Sequence, residues 1–252
     1  MERNYIDERY ALKREAHEFN KKTVKKMAIL DKYIDMENPP LTVQYELIGC
    51  VGTAMMTGKL EDFYSISTCT CLNPLCRARA KVKGSVCEKC YAEAHQLMYD
   101  GSAQKNEVNY YILNKYLIDE RLWAAFELKA PLGLFRVEAF GDSATVTCSR
   151  NYIRMIRSHP YITFGVWTKN LKIWKDALEL EGGKPDNMVL IYSSMFVNQE
   201  AKSPLLCIPG LVDHVFTVYD RDDVCYNCKK RCKDCKKCYS RDTEFHIRER
   251  LK

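Results

Sequence analysis

Cys225, Cys228, Cys232, Cys235 and Cys238 place five thiols within fourteen residues, and Cys69, Cys71, Cys76, Cys87 and Cys90 form a second knot upstream. Steps of two or three residues let successive thiolates turn onto one metal ion or cluster, because a tight turn aims both sulfurs inward. All ten are therefore candidate metal ligands. The repeated two-residue gap in Cys232-x2-Cys235-x2-Cys238 suits three corners of a 4Fe-4S cubane, and one or two such clusters are the expected cofactors. Zinc is the alternative, since pairs such as Cys87-x2-Cys90 and Cys225-x2-Cys228 also serve four-cysteine sites. The spacing leaves open whether the knots make two sites or share one. Cys50, Cys148 and Cys207 stand alone and read as small apolar side chains.

The chain around these thiols has 252 residues and 46% apolar content, enough to bury one large core. The charged N-terminus lacks the apolar stretch of a secretion signal, and no apolar run is long enough to span a membrane. A cytoplasmic protein without membrane attachment is expected. In that reducing compartment thirteen cysteines stay as thiols, which favours metal ligation over disulfides. The net charge of +6 resides entirely in residues 225–252, with ten Lys or Arg against four Asp or Glu. Two readings follow for this basic tail. Lys229, Lys230, Arg231, Lys233, Lys236 and Lys237 could contact phosphates of a nucleic acid, or a host protein, or could offset the negative charge of bound thiolates.

Periodicity supplies the elements that position the knots. Residues 3–36 recur at helical steps up to Asn38-Pro39-Pro40, whereas Leu41 to Met56 fits either a buried strand or a short helix. Phe63–Ser67, Leu134–Phe140, Ile162–Trp167, Met188–Tyr192 and His214–Tyr219 read as five strands. Helices are expected from Tyr91 onward with a break at Gly101-Ser102, from about Thr145 to Ser158, and from Leu171 to Leu180 before Gly182-Gly183. Asp142 or Ser143 is the expected cap of the Thr145 helix. This alternation predicts an α/β fold, a partial (β/α) barrel or an open parallel sheet, in residues 58–224. A helical extension over 1–57 precedes it, and a cysteine-rich metal-binding tail over 225–252 packs on it. Loops after strand C-terminal ends form the reactive face of such folds. The first knot, Gly141-Asp142, Thr168-Lys169 and Ser193 all fall there, and the second knot, following the last strand, is expected to join them.

Several segments resemble the phage "gene product 88" family: Gly58-Lys59-Leu60 through Ser67, Cys87-x-x-Cys90-Tyr91-Ala92, Phe135 to Asp142, Trp167-Thr168-Lys169, and Cys232-x-x-Cys235-x-x-Cys238-Tyr239. The resemblance spans about residues 58–240 and implies a phage or prophage origin. The layout is also similar to radical S-adenosylmethionine enzymes, which place a cysteine loop after the first strand and a glycine-rich motif after the second. That likeness implies Gly141, Asp142, Thr168, Lys169 and Ser193 as cofactor-binding residues, with Asp142 pairing the cofactor's amine. The first knot lacks the Cys-x3-Cys-x2-Cys spacing of that class, and Cys228-x3-Cys232-x2-Cys235 has it too close to the C-terminus for a barrel to follow.

Overall fold

The computed structural model describes residues 20–251. Seven strands form one sheet in sequential order: β1 (Thr53–Met55), β2 (Tyr64–Ile66), β3 (Leu134–Val137), β4 (Thr163–Thr168), β5 (Met188–Ser193), β6 (His214–Tyr219) and β7 (His246–Arg250). β1 runs antiparallel to β2, and every other neighbouring pair is parallel. The five expected strands are present, and the sheet gains an edge strand on each side. β7 comes from the cysteine-rich tail itself. Lys59, in the turn Gly58–Leu60 between β1 and β2, pairs with Glu249 of β7 at 2.5 Å. One side chain therefore links segments at the two edges, although β1 and β7 are not paired with each other.

Alternation along the strands divides the two faces. Phe135 and Val137, Phe164 and Val166, and Met188 and Leu190 enter the main core with the helices Val146–Arg157 and Leu171–Leu180. In the first helix Tyr152, Ile153 and Ile156 face that core, while Arg150 and Arg154 reach outward to the Glu181 carboxylate at 2.6 and 3.1 Å. The opposite parity, Leu134 and Trp167, packs with Phe63, Tyr239, Cys232 and Cys238. Helices cover one face of the sheet and the cysteine-rich tail lies on the other.

Leu41–Cys50 is helical, which settles the segment that periodicity left open, and β1 follows it. The helix Lys21–Lys32, capped by Asn20, ends before the Pro pair as expected; residues 3–19 of the expected N-terminal helix lie outside the described residues. Helices Tyr91–Met98 and Asp100–Lys115 divide at Tyr99, ahead of Gly101. The helix Val146–Arg157 is capped by Thr145, whose hydroxyl accepts the Cys148 N–H at 3.1 Å. Asp142 and Ser143 are not its cap. Asp142 is drawn instead to donors on neighbouring strands and loops. None of the described helices is long and apolar enough to cross a membrane.

Candidate metal centres

The first knot begins where β2 ends and is fastened to the exit of β3. Glu138 adopts a left-handed φ of 55°, which turns its side chain back beneath the cysteine loop. Its carboxylate accepts the Thr68 N–H at 3.0 Å, the Thr68 hydroxyl at 2.8 Å and the Tyr152 hydroxyl at 2.7 Å. Burial pushes the Glu138 carboxyl up to about 7, against the pull of those donors. Gly141 has a φ of 140°, and a Cβ there would lie 2.5 Å from the Glu138 carboxylate and 2.8 Å from the Thr68 carbonyl. Only glycine lets the two segments approach this closely.

Asp142 makes the second fastening. Its carboxylate accepts the Thr168 hydroxyl at 2.7 Å, the Lys169 N–H at 2.8 Å and an Arg79 N–H at 3.2 Å. Its carbonyl accepts the Asn73 side-chain N–H at 2.6 Å. Arg79 also donates to the Lys169 carbonyl at 2.8 Å. Gly141, Asp142, Thr168 and Lys169 thus come together as the sequence suggested. Ser193 closes β5 at the same end of the sheet, and the neighbouring Ser194 hydroxyl bonds that of Thr217 at 2.7 Å.

The five thiols of the first knot differ in burial. Cys69 and Cys71 are buried side by side, and their mutual hydrogen bond is the largest cause that pushes the Cys71 thiol far up. The Cys69 thiol also donates to Gln96 at 3.4 Å. Cys76 follows Pro74 in the helix Pro74–Ala80, a helix unforeseen inside the knot although Asn73-Pro74 is a cap followed by a favoured first residue. Cys76 is pushed well up by burial, then by Asp142, Cys90 and Cys87. Burial raises Cys90 too, while the N–H groups of Glu93 and Ala92 and the Lys169 cation oppose that shift. Cys76, Cys87 and Cys90 are therefore near enough for their charges to act on one another, with Asp142, Arg79 and Lys169 close by.

The second knot lies across the sheet face instead of joining the first at the strand ends. Gly165 of β4 makes room for it: a Cβ there would stand 2.7 Å from the Tyr239 ring and 3.2 Å from the Cys238 carbonyl. Tyr239 packs on Phe63 with ring centroids 5.0 Å apart. Cys232 and Cys235 bound one helical turn, which the left-handed Lys236 ends before Cys238. Burial leads the upward shift of Cys238, and the Cys228, Cys232 and Cys235 thiols add to it. Lys59 Nζ lies 3.0 Å from Cys228 Sγ. Cys225 stands exposed, as does Cys207, whereas Cys50 and Cys148 are buried as expected of apolar thiols. Among the described residues no three or more His, Cys, Asp or Glu side chains are already disposed to hold a metal ion.

The basic tail is largely paired with carboxylates. Arg231 bonds Glu61 at 2.7 Å, Lys233 bonds Asp62 at 2.7 Å, and Lys237 bonds Glu244 at 3.1 Å. The first two contacts dock the tail on the β1–β2 turn, and the third closes within the tail itself. Sequence reasoning missed Glu138, which reads as one more polar position in an alternating strand, and Arg136, whose role depends on the tail covering β3.

Fold and site define an α/β protein with a mostly parallel sheet whose cysteines flank its strand ends and one face. The chain belongs to the gene product 88 family of phage proteins, whose family model matches residues 19–224. That match begins ahead of the 58–240 span of the sequence resemblance and stops before the Cys232–Tyr239 segment that the resemblance took in. No curated protein and no solved structure gave a match.

Proposed function

We propose that this phage-family protein is a thiolate metalloprotein whose functional centre is an iron–sulfur cluster held by Cys76, Cys87 and Cys90. The observation that carries the reading is that Asp142, beside the helix that bears Cys76, is fastened to the exits of β3 and β4, with Cys87 and Cys90 near enough for their charges to act on the Cys76 thiol. Folds with parallel strands concentrate chemistry at that end. Glu138, Gly141 and Asp142 fix the loop so that binding a cluster draws in thiols without reorganising the sheet. Three protein thiolates leave one iron of a cubane for an external ligand, which suits redox or Lewis-acid chemistry.

S-adenosylmethionine forms no part of this reading. Asp142, the residue suited to its amine, already receives three protein donors, one of them a guanidinium. The link from Lys59 to Glu249 supports a sheet curled toward a partial (β/α) barrel, with the tail on its inner face. A nucleic-acid or host-protein role for the tail has less support, because Arg231, Lys233 and Lys237 answer carboxylates of the same chain.

The test is anaerobic reconstitution with iron and sulfide, followed by electron paramagnetic resonance of the reduced chain. A cubane signal that shifts on addition of cyanide supports a cluster with an open iron. No cubane signal, with zinc as the only metal taken up, removes the reading.

A further inference from the structure

Arg136 is a buried cation without a carboxylate. It projects from β3 on the face that the tail covers, is 9% exposed, and forms no ion pair with Asp or Glu among the described residues. Its guanidinium carbon lies 3.0 Å from the centroid of the Trp167 ring, and its Nε has no hydrogen-bond partner. An aromatic face offsets part of a cation's desolvation, but a buried charge normally has an anion. The ionisable groups around Arg136 are the Cys232 and Cys238 thiols and the Tyr239 and Tyr91 phenols. Lys59, from the β1–β2 turn, lies 3.0 Å from Sγ of the neighbouring Cys228 and also pairs with Glu249.

A missing anion beside Cys232 and Cys238, in a segment that also carries Cys228 and Cys235, has a direct chemical solution. Four thiolates around a divalent ion, or around an oxidised cubane, leave two units of negative charge. We infer that Cys228, Cys232, Cys235 and Cys238 form a second, four-thiolate metal centre on the inner face of the sheet, with Arg136 as its built-in counter-charge and Lys59, shared with Glu249, at its edge. The Cys232–Cys235 turn, the left-handed Lys236 and the room left by Gly165 seat Cys232 and Cys238 against Trp167 and Tyr239 on the face that carries Arg136, and binding the ion would draw the four sulfurs together. Neither cation is a ligand; both are positioning residues that favour the ionised thiols. Four protein ligands close the centre, so it fastens the tail and β7 to the sheet. Its four thiols lie outside the segment that the family model covers, whereas Arg136 and Lys59 lie inside it.

The test uses the full reduced chain carrying Cys87→Ser, which disables the strand-end set, and titrates it anaerobically with cobalt(II). The expected result is a tetrahedral thiolate–cobalt spectrum that disappears with Cys232→Ser or Cys235→Ser. Arg136→Met should weaken cobalt binding roughly 10- to 100-fold, as loss of an outer-shell partner does, and Arg136→Lys should restore most of it. The metal-free Arg136→Met chain should melt higher than its parent, because an unanswered buried charge is gone. A merely structural arginine would give a lower melting temperature and unchanged affinity. That outcome, or a thiolate spectrum that survives both tail cysteine substitutions, overturns the inference. Iron with sulfide, or zinc, in the purified Cys87→Ser chain supports it and names the occupant; neither metal in that chain counts against it.

Discussion

Thr68 and Glu138 are joined twice, by the backbone N–H at 3.0 Å and the hydroxyl at 2.8 Å, so the residue preceding the first cysteine is fixed to the exit of β3. The cysteine loop thereby takes its position from the sheet. Breaking this link should loosen the loop without unfolding the core.

Glu138 makes stability depend on pH in a defined direction. Its carboxyl is raised from 4.5 to about 7 in the folded chain, so between those values the native state binds the extra proton. Stability should therefore fall as pH rises from about 4.5 to about 7, by up to roughly 3 kcal/mol from this group. Glu138→Gln should flatten that limb while lowering overall stability by about 1–3 kcal/mol, because its amide opposes one of the donors. Urea titrations of metal-free protein across this range test both effects; an unchanged slope in the variant removes the assignment.

Gly141→Ala should be more damaging than its size suggests. The left-handed backbone and the 2.5 Å approach to Glu138 both oppose a side chain, and a loss on the order of 2–3 kcal/mol is expected. Thermal melting is the check. A variant as stable as the parent would show that the β3 exit is not held as described.

Asp142→Asn separates fastening from helix capping. An amide facing the Lys169 N–H and Arg79 should cost about 1–3 kcal/mol and expose the Cys76 region to exchange. Thr145→Ala should cost about 1 kcal/mol and affect only the start of the helix Val146–Arg157. Hydrogen exchange distinguishes them: if Asp142→Asn deprotects the Val146 turn instead of the cysteine loop, the fastening role is wrong.

Gly165→Ala should release the tail. Its Cβ would enter the space of Tyr239 and the Cys238 carbonyl, so limited proteolysis should cut within residues 225–240 while the sheet persists. Uncut tail at parental rates would contradict the packing.

The five strands β2 to β6 were legible because runs such as Met188–Ser193 are apolar and bounded by turn residues. β7 was not: His246-Ile247-Arg248-Glu249-Arg250 has one apolar residue, and its strand identity comes from pairing with β6 at the sheet edge. β1 has only three residues and depends likewise on its neighbour. The cysteines were obvious, but their partition was not. Cys69 and Cys71 differ from Cys76, Cys87 and Cys90 in burial, and Cys76 lies on a helix that starts at Pro74, neither of which spacing encodes. Asp142 was recognised as important for its place after a strand, yet its partners Arg79 and Thr168 come from segments far apart in sequence.

The most direct measurement is iron and acid-labile sulfide per chain in anaerobically purified protein carrying Cys232→Ser, which removes the tail's contribution. A cluster held by Cys76, Cys87 and Cys90 predicts iron and sulfide in equal amounts in that chain, and their loss when Cys87→Ser or Cys90→Ser is added. Zinc alone in the Cys232→Ser chain, or iron and sulfide that persist after Cys87 and Cys90 are replaced, would contradict it.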